Sequence, residues 1–198
     1  MELTEIKYGN TNTFLIRGTK ANLLIDTDYA GTLPAFYKAI KNIGIKVSDI
    51  GYVMATHYHP DHMGLISELT EQGVKLVIME SQLPFVHYSD YIFEREPHLN
   101  YKPIDESKAL IIAPSDAHGF FENEIGAEAD ILDITSHGEG SIAVSLDNGK
   151  VIIAGDLEPL EYMDAYEKGT PYRNDWDRIL QSSPERVCYA HAGSRDIR

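Results

Sequence analysis

The sequence predicts an α/β fold, an αββα sandwich: two mixed β-sheets packed face to face with helices on the outer faces. Three observations carry this expectation. Short runs rich in β-branched and aromatic residues fall into two groups along the chain, and helical stretches are interspersed among them. A length of 198 residues with 43% hydrophobic content suffices for one core, so residues 1–198 read as a single domain.

The first group opens with Glu2–Tyr8, Thr13–Arg17 and Asn22–Ile25, separated by the turn formers Gly9-Asn10 and Gly18, and reads as an antiparallel meander. Pro34 then begins a helix to Ile43, because Phe36, Tyr37, Ile40 and Ile43 recur at helical spacing and Gly44 supplies a stop. Ile50–Ala55 is a brief apolar strand, Leu65–Gln72 a helix, and Val74–Met79 a strand. Ser81–Glu96 carries Phe85, Tyr88, Tyr91 and Phe93 and predicts one helix, followed by a loop at Pro97 and Pro103.

The remainder of the chain predicts strands at Ala109–Ala113, His118–Phe121, Asp130–Thr135, Ser141–Leu146, Val151–Ala154 and Arg186–Ala190, with Asp147-Asn148-Gly149 as a hairpin turn. Leu160–Ser183 is polar and partly helical. No internal repeat or low-complexity linker interrupts the chain.

A formal net charge of -14 repels polyanions, so a nucleic-acid partner is not expected and a small-molecule substrate is. No apolar run approaches the ~20 residues needed to cross a bilayer, and Met1-Glu2-Leu3-Thr4-Glu5 lacks the features of a signal peptide. The expectation is a cytoplasmic protein with no membrane partner. Cys188 is the only cysteine, so an intramolecular disulfide is excluded and any metal site must use histidine and carboxylate.

The chemistry concentrates in His57-Tyr58-His59-Pro60-Asp61-His62, three imidazoles and a carboxylate directly after a strand-like run. Residues two apart project to one side of an extended backbone, so His57 and His59 can chelate one ion. Pro60 stiffens a turn that redirects Asp61 and His62 toward a second ion about 3.5–4 Å away. The plainer alternative is a polar surface loop with several histidines.

These six residues match the H-x-H-x-D-H motif, and here the sequence resembles the metallo-β-lactamase superfamily. His137-Gly138-Glu139-Gly140-Ser141 resembles the family's H-x-x-G-S segment, Ala154-Gly155-Asp156 its strand-end aspartate, and Ala190-His191-Ala192-Gly193 its final histidine. The resemblance implies a first ion on His57, His59 and His137, a second on Asp61, His62 and His191, and Asp156 bridging both. Asp26, after Leu23-Leu24-Ile25, matches an aspartate that supports the metal loop in the family; a strand-end cap is the alternative. Ser136, Ala190 and Ala192 depart from the glycines common in relatives and remove no ligand.

The resemblance implies two divalent metal ions, zinc (Zn2+) first with Fe or Mn as alternatives. His59 stands where the flavo-diiron branch has glutamate. A metal-bridging hydroxide would attack, and Asp61 would act as the catalytic residue that orients it. The expected function is a dinuclear zinc-dependent hydrolase of a small ester, lactone, thioester or amide. A small phosphodiester or cyclic-nucleotide hydrolase is the alternative; a non-catalytic metal-binding module and an iron-dependent dioxygenase rank lower. Tyr162, Tyr166 and Tyr172 follow Asp156 closely enough to reach the site, whereas the aromatics of Phe85–Phe93 read first as core or as a homodimer surface. His87, His98 and His118 read as solvent-facing, and Cys188 as a buried thiol.

Overall fold

The computed structural model describes residues 1–197, and its strands form two mixed sheets. In the first, β1 (Glu2–Lys7), β2 (Asn12–Arg17) and β3 (Asn22–Ile25) make the antiparallel meander, and β4 (Tyr52–Met54), β5 (Lys75–Met79) and β6 (Leu110–Ile112) continue it in parallel. The second has the order β11-β10-β9-β8-β7 and comprises β7 (Ala129–Ile134), β8 (Ser141–Leu146), β9 (Val151–Ile153), β10 (Arg186–Cys188) and β11 (Arg195–Asp196). Strand β9 is parallel to β10 and antiparallel to β8, which is antiparallel to β7, so β7, β9 and β10 point the same way.

Side-chain alternation sorts the core into layers. Along β2 and β3, Phe14, Ile16, Leu23 and Ile25 face the second sheet and pack with Ile142, Val144, Ile153 and Cys188. Leu15 and Leu24 point the other way, onto Phe36 and Ile40 of α1 (Leu33–Asn42). Ala143, Ile152 and Val187 lie on the outer face of the second sheet and pack against Trp176 and Ile179 of α6 (Pro171–Leu180). Short helices α2 (Pro60–Met63), α3 (Ile66–Thr70), α4 (Asp90–Phe93) and α5 (Ala117–Phe120) complete the order between β4 and β7. Among the described residues no helix is long and apolar enough to cross a membrane.

Two expected elements are corrected. His118–Phe121 is not a strand: Ala117, Phe120, Phe121 and Ile125 are all buried at helical spacing, and the chain coils through α5 and a wide π turn, Phe121–Ile125, until Gly126 at φ 72 stops it. Ser81–Glu96 is not one helix. Pro84 lies in a 3-10 stretch, Glu80–Phe85, where its ring and missing amide oppose a regular helix, and helix resumes only at α4. The two-residue strand β11 was not anticipated.

Candidate metal centre

His57, His59, His137, Asp156 and His191 lie just past the C-terminal ends of strands, Asp61 and His62 lie in the short helix that follows β4, and the common strand direction brings those ends to one edge of the sandwich. His57 and His59 follow β4. Pro60 opens α2, whose fixed φ turns the chain so that Asp61 and buried His62 face the other strand ends. His137 follows β7, Asp156 follows β9, and His191 follows β10. The turn before Asp156 needs Gly155: its φ is 58°, and a Cβ there would lie 2.8 Å from Thr56 Oγ1.

All seven residues expected as ligands converge in two groups, His57, His59, His137 and Asp156 in one and Asp61, His62 and His191 in the other, with the donor atoms of each group within 4.8 Å of one another. In the first, His137 Nε2 lies 3.1 Å from His57 Nε2 and 3.2 Å from His59 Nδ1. In the second, His191 Nε2 lies 3.4 Å from His62 Nε2 and 3.2 Å from Asp61 Oδ2. Asp156 stands between them. Its Oδ2 is 3.5 Å from His137 Nε2 and 3.8 Å from His57 Nε2, while Oδ1 is 3.1 Å from His62 Nε2 and 3.2 Å from His191 Nε2.

The donor set fits cations. Asp156 Oδ1 is buried and no donor meets it in hydrogen-bond geometry, although two imidazoles stand close. Imidazole nitrogens that point at one another and at a carboxylate in this way share a positive centre more readily than they pair as donor and acceptor. These His/Asp groups can therefore bind metal ions.

The orientation of the imidazoles is set behind them. Thr56 donates its hydroxyl to Asp26 Oδ2 at 2.9 Å and its amide to Oδ1 at 2.7 Å; that hydroxyl also stands 3.2 Å from His57 Nδ1. With its only proton given to Asp26, the hydroxyl accepts from His57 Nδ1–H, leaving the Nε2 lone pair for the centre. Asp26, at φ 59° and fully buried, also faces His62 Nδ1. It supports the cluster rather than capping a strand.

Sequence reasoning missed three of these supports. The buried amide of Gln82 donates to Ala55, Thr56 and Gly140 carbonyls at 3.1–3.2 Å and ties the two histidine loops together. Fully buried Asp175, on α6, accepts the Thr135 and Ser136 amides at 2.9 and 2.8 Å and the Thr135 hydroxyl at 3.1 Å, clamping the turn that carries His137. Thr56 is the third. Gln82 and Asp175 act on backbone atoms distant in sequence, and Thr56 acts on the distant Asp26 carboxylate, none of which a local pattern displays.

Burial, reinforced by neighbouring imidazoles, holds His57, His59 and His137 below the ordinary histidine value, so they stay neutral and ready to donate lone pairs. Burial also opposes charge on His62, but Asp26 and Asp156 outweigh it and push it up to about 10. Contacts with Asp156 and Asp61 push His191 up to about 10. Burial opposes charge on Asp156 as well, yet His191 and His62 hold its carboxyl far below the usual carboxylate range. The second half of the cluster thus favours positive charge, whether proton or metal.

Two cavities flank the cluster and share His137. One, of about 320 Å³, is lined by Phe85, Tyr88 and Glu139 together with His57 and His59. The other, of about 390 Å³, is lined by Asp156, Glu158, Tyr166, Thr170 and Tyr172. The aromatics of Phe85–Phe93 therefore divide: Phe93 stacks on Tyr101 in the core at 3.9 Å, Phe85 and Tyr88 face the cavity, and Tyr91 is exposed. Tyr162 is exposed and lines neither cavity. His87, His98 and His118 are exposed and outside the cluster, and Cys188 is buried.

The profile of the metallo-beta-lactamase superfamily matches residues 6–191, from within β1 to the last histidine of the cluster. The chain belongs to the metallo-beta-lactamase superfamily. Solved members share its fold: a metallo-beta-lactamase family protein from Thermus thermophilus superposes with a TM-score of 0.72 at 20% identity, over 98% of this chain and 74% of that one. A superfamily protein from Sulfolobus tokodaii gives 0.69 at 18% identity, over 98% and 81%. A diflavin flavoprotein A 2 from Synechocystis is 31% identical over 80 residues, which is 40% of this chain and 14% of that protein. Lactamase-like protein nscB from Trichophyton equinum is 28% identical over 104 residues, 52% of this chain and 27% of that protein. The chain thus spans under a third of the length of these curated relatives.

Proposed function

We propose that the protein is a dinuclear zinc-dependent hydrolase of a small ester, lactone, thioester or amide. The observation that carries this reading is Asp156, whose two carboxylate oxygens face two separate donor sets, three imidazoles on one side and Asp61, His62 and His191 on the other. A scaffold without catalysis has no need for both halves.

Two divalent ions held by these donors would supply Lewis acidity and would lower the pKa of a water to about 7. The chain's own groups do the rest. Asp61 is partly exposed at the cluster; burial opposes its charge, but His191 and His62 hold it below the usual carboxylate range. It therefore stays ionised and accepts a hydrogen from the attacking water, fixing the direction of its lone pair. Neutral His57, His59 and His137 add no competing proton on the opposite side.

The cavity walls favour a carbonyl substrate over a phosphodiester. Neither cavity is lined by lysine or arginine among the described residues, and each carries a glutamate, so nothing but the cluster itself would balance a phosphate. Similarity to the diflavin flavoprotein covers a minor part of the chain, and His59 puts an imidazole where the flavo-diiron branch has glutamate. Panels of carbonyl esters and of phosphodiesters at defined zinc content test the reading. Turnover of the carbonyl set is expected; turnover confined to phosphodiesters would replace it.

A further inference from the structure

The wall beyond Asp156 has a chemistry that the hydrolytic centre does not require. Glu158 follows Asp156 by two residues and lines the same cavity as Tyr166 and Tyr172. The two rings lie 4.2 Å apart at 31°, and the Tyr166 hydroxyl donates to the Glu158 carboxylate, holding it beside the ring pair. Tyr172 is 4% exposed and its hydroxyl donates to the Pro159 carbonyl at 2.6 Å, so the inner ring is anchored. Trp176 Nε1 donates to the Glu158 carbonyl at 3.0 Å and anchors the backbone of the carboxylate.

We propose that this cavity binds an organic cation, an ammonium or quaternary ammonium group on the leaving portion of the substrate. The proposal rests on the hydrolase reading and names its substrate class. Aromatic faces carry negative quadrupole potential and attract cations within about 6 Å of the ring centre, and a carboxylate beside them adds a full charge. Among the described residues no lysine or arginine lines the cavity, so apart from the cluster itself nothing would balance an anionic substituent beside Glu158. Because Asp156 belongs both to this cavity and to the cluster, a bound ammonium lies close to the reacting centre. Glu158 and Tyr166 are solvent-exposed as well, but Tyr166, at 36%, is less open than Tyr88 of the opposite cavity, at 67%, and no ring pair holds Glu139 there.

The experiment uses the zinc-loaded protein and two probes. Tetramethylammonium is titrated by calorimetry and by the fluorescence of Trp176, the only tryptophan, which contacts Glu158 directly. Acetylcholine is then compared with neohexyl acetate, its uncharged isostere in which carbon replaces the quaternary nitrogen. The expected result is saturable binding, weakened about tenfold or more in Glu158→Gln, with kcat/KM for acetylcholine about tenfold above the isostere. Absence of saturable binding by both methods, or binding unchanged in Glu158→Gln, would overturn the cation site. Binding without turnover of either ester, or of any other carbonyl substrate, would leave the site standing and remove the hydrolase reading; equal turnover of the two esters without binding would do the reverse.

Discussion

The Nδ1 atom of His62 lies 3.1 Å from Oδ2 of Asp26, with both side chains wholly shielded from solvent. The contact falls outside linear hydrogen-bond geometry, so charge carries much of it. Asp26→Asn keeps the shape and an acceptor for Thr56 but removes that charge and can turn an amide N–H toward His62. The expected result is about a 10–100-fold loss of metal affinity in the half of the cluster formed by Asp61, His62 and His191, read by competition with a chromophoric chelator. Unchanged affinity would show that Asp26 is only a structural turn residue.

Asp61 has a different role, because it faces the cluster from α2 with a third of its side chain open to solvent. Asp61→Asn retains a ligand oxygen and loses the proton acceptor. At matched metal content, kcat should fall by about 100-fold or more while the fold is retained by circular dichroism. Normal turnover with the metal complement intact would contradict the assigned role.

Asp175 tests whether the centre depends on α6. Asp175→Ala leaves two backbone amides and the Thr135 hydroxyl without their acceptor and Arg178 without its partner. Destabilisation on the order of 3 kcal/mol is expected in urea unfolding, with weakened metal binding at His137. Asp175→Asn, which retains one acceptor oxygen, should lose less on both readouts.

His87 predicts a pH dependence remote from the cluster. Its Nε2 faces Glu106 at 2.9 Å and its Nδ1 faces Asp90 at 2.8 Å, and these contacts raise its pKa. A histidine raised in the folded state stabilises fully below its unfolded value of about 6.5, and that contribution disappears as pH rises through the folded value. With 44% of the side chain exposed, the effect is small. The thermal midpoint of the wild type should exceed that of His87→Gln at mildly acidic pH, above the carboxylate range, and the gap should close toward alkaline pH. A gap that widens with pH would reverse the assignment.

The convergence of the seven candidate ligands was legible in sequence in two ways: the His57–His62 run through the ligand types and spacing that metal chemistry restricts, and His137, Asp156 and His191 only through the resemblance to the family. His57, His59, Asp61 and His62 cluster within six positions, and His137, Asp156 and His191 each follow a strand. Most sheet strands were legible from β-branched alternation, as at Ser141–Leu146. The errors share one cause, that short aromatic runs fit several local structures. Phe120 and Phe121 suggested a strand until their joint burial with Ala117 and Ile125 revealed the helical repeat, and the aromatic spacing over Ser81–Glu96 concealed the break at Pro84. Gln82 and Asp175 were illegible because a buried amide or carboxylate that serves distant backbone groups looks, in sequence, like any polar surface residue.

Asp156 is the point on which the account turns, since each of its oxygens faces one half of the cluster. The most direct measurement is elemental analysis of the wild type and of Asp156→Ala, both purified without added metal and again after reconstitution with zinc. The account predicts about two zinc ions per wild-type chain and a sharp loss from both halves in the variant. A wild type that binds no metal after reconstitution, or a variant that keeps its full complement, would contradict it.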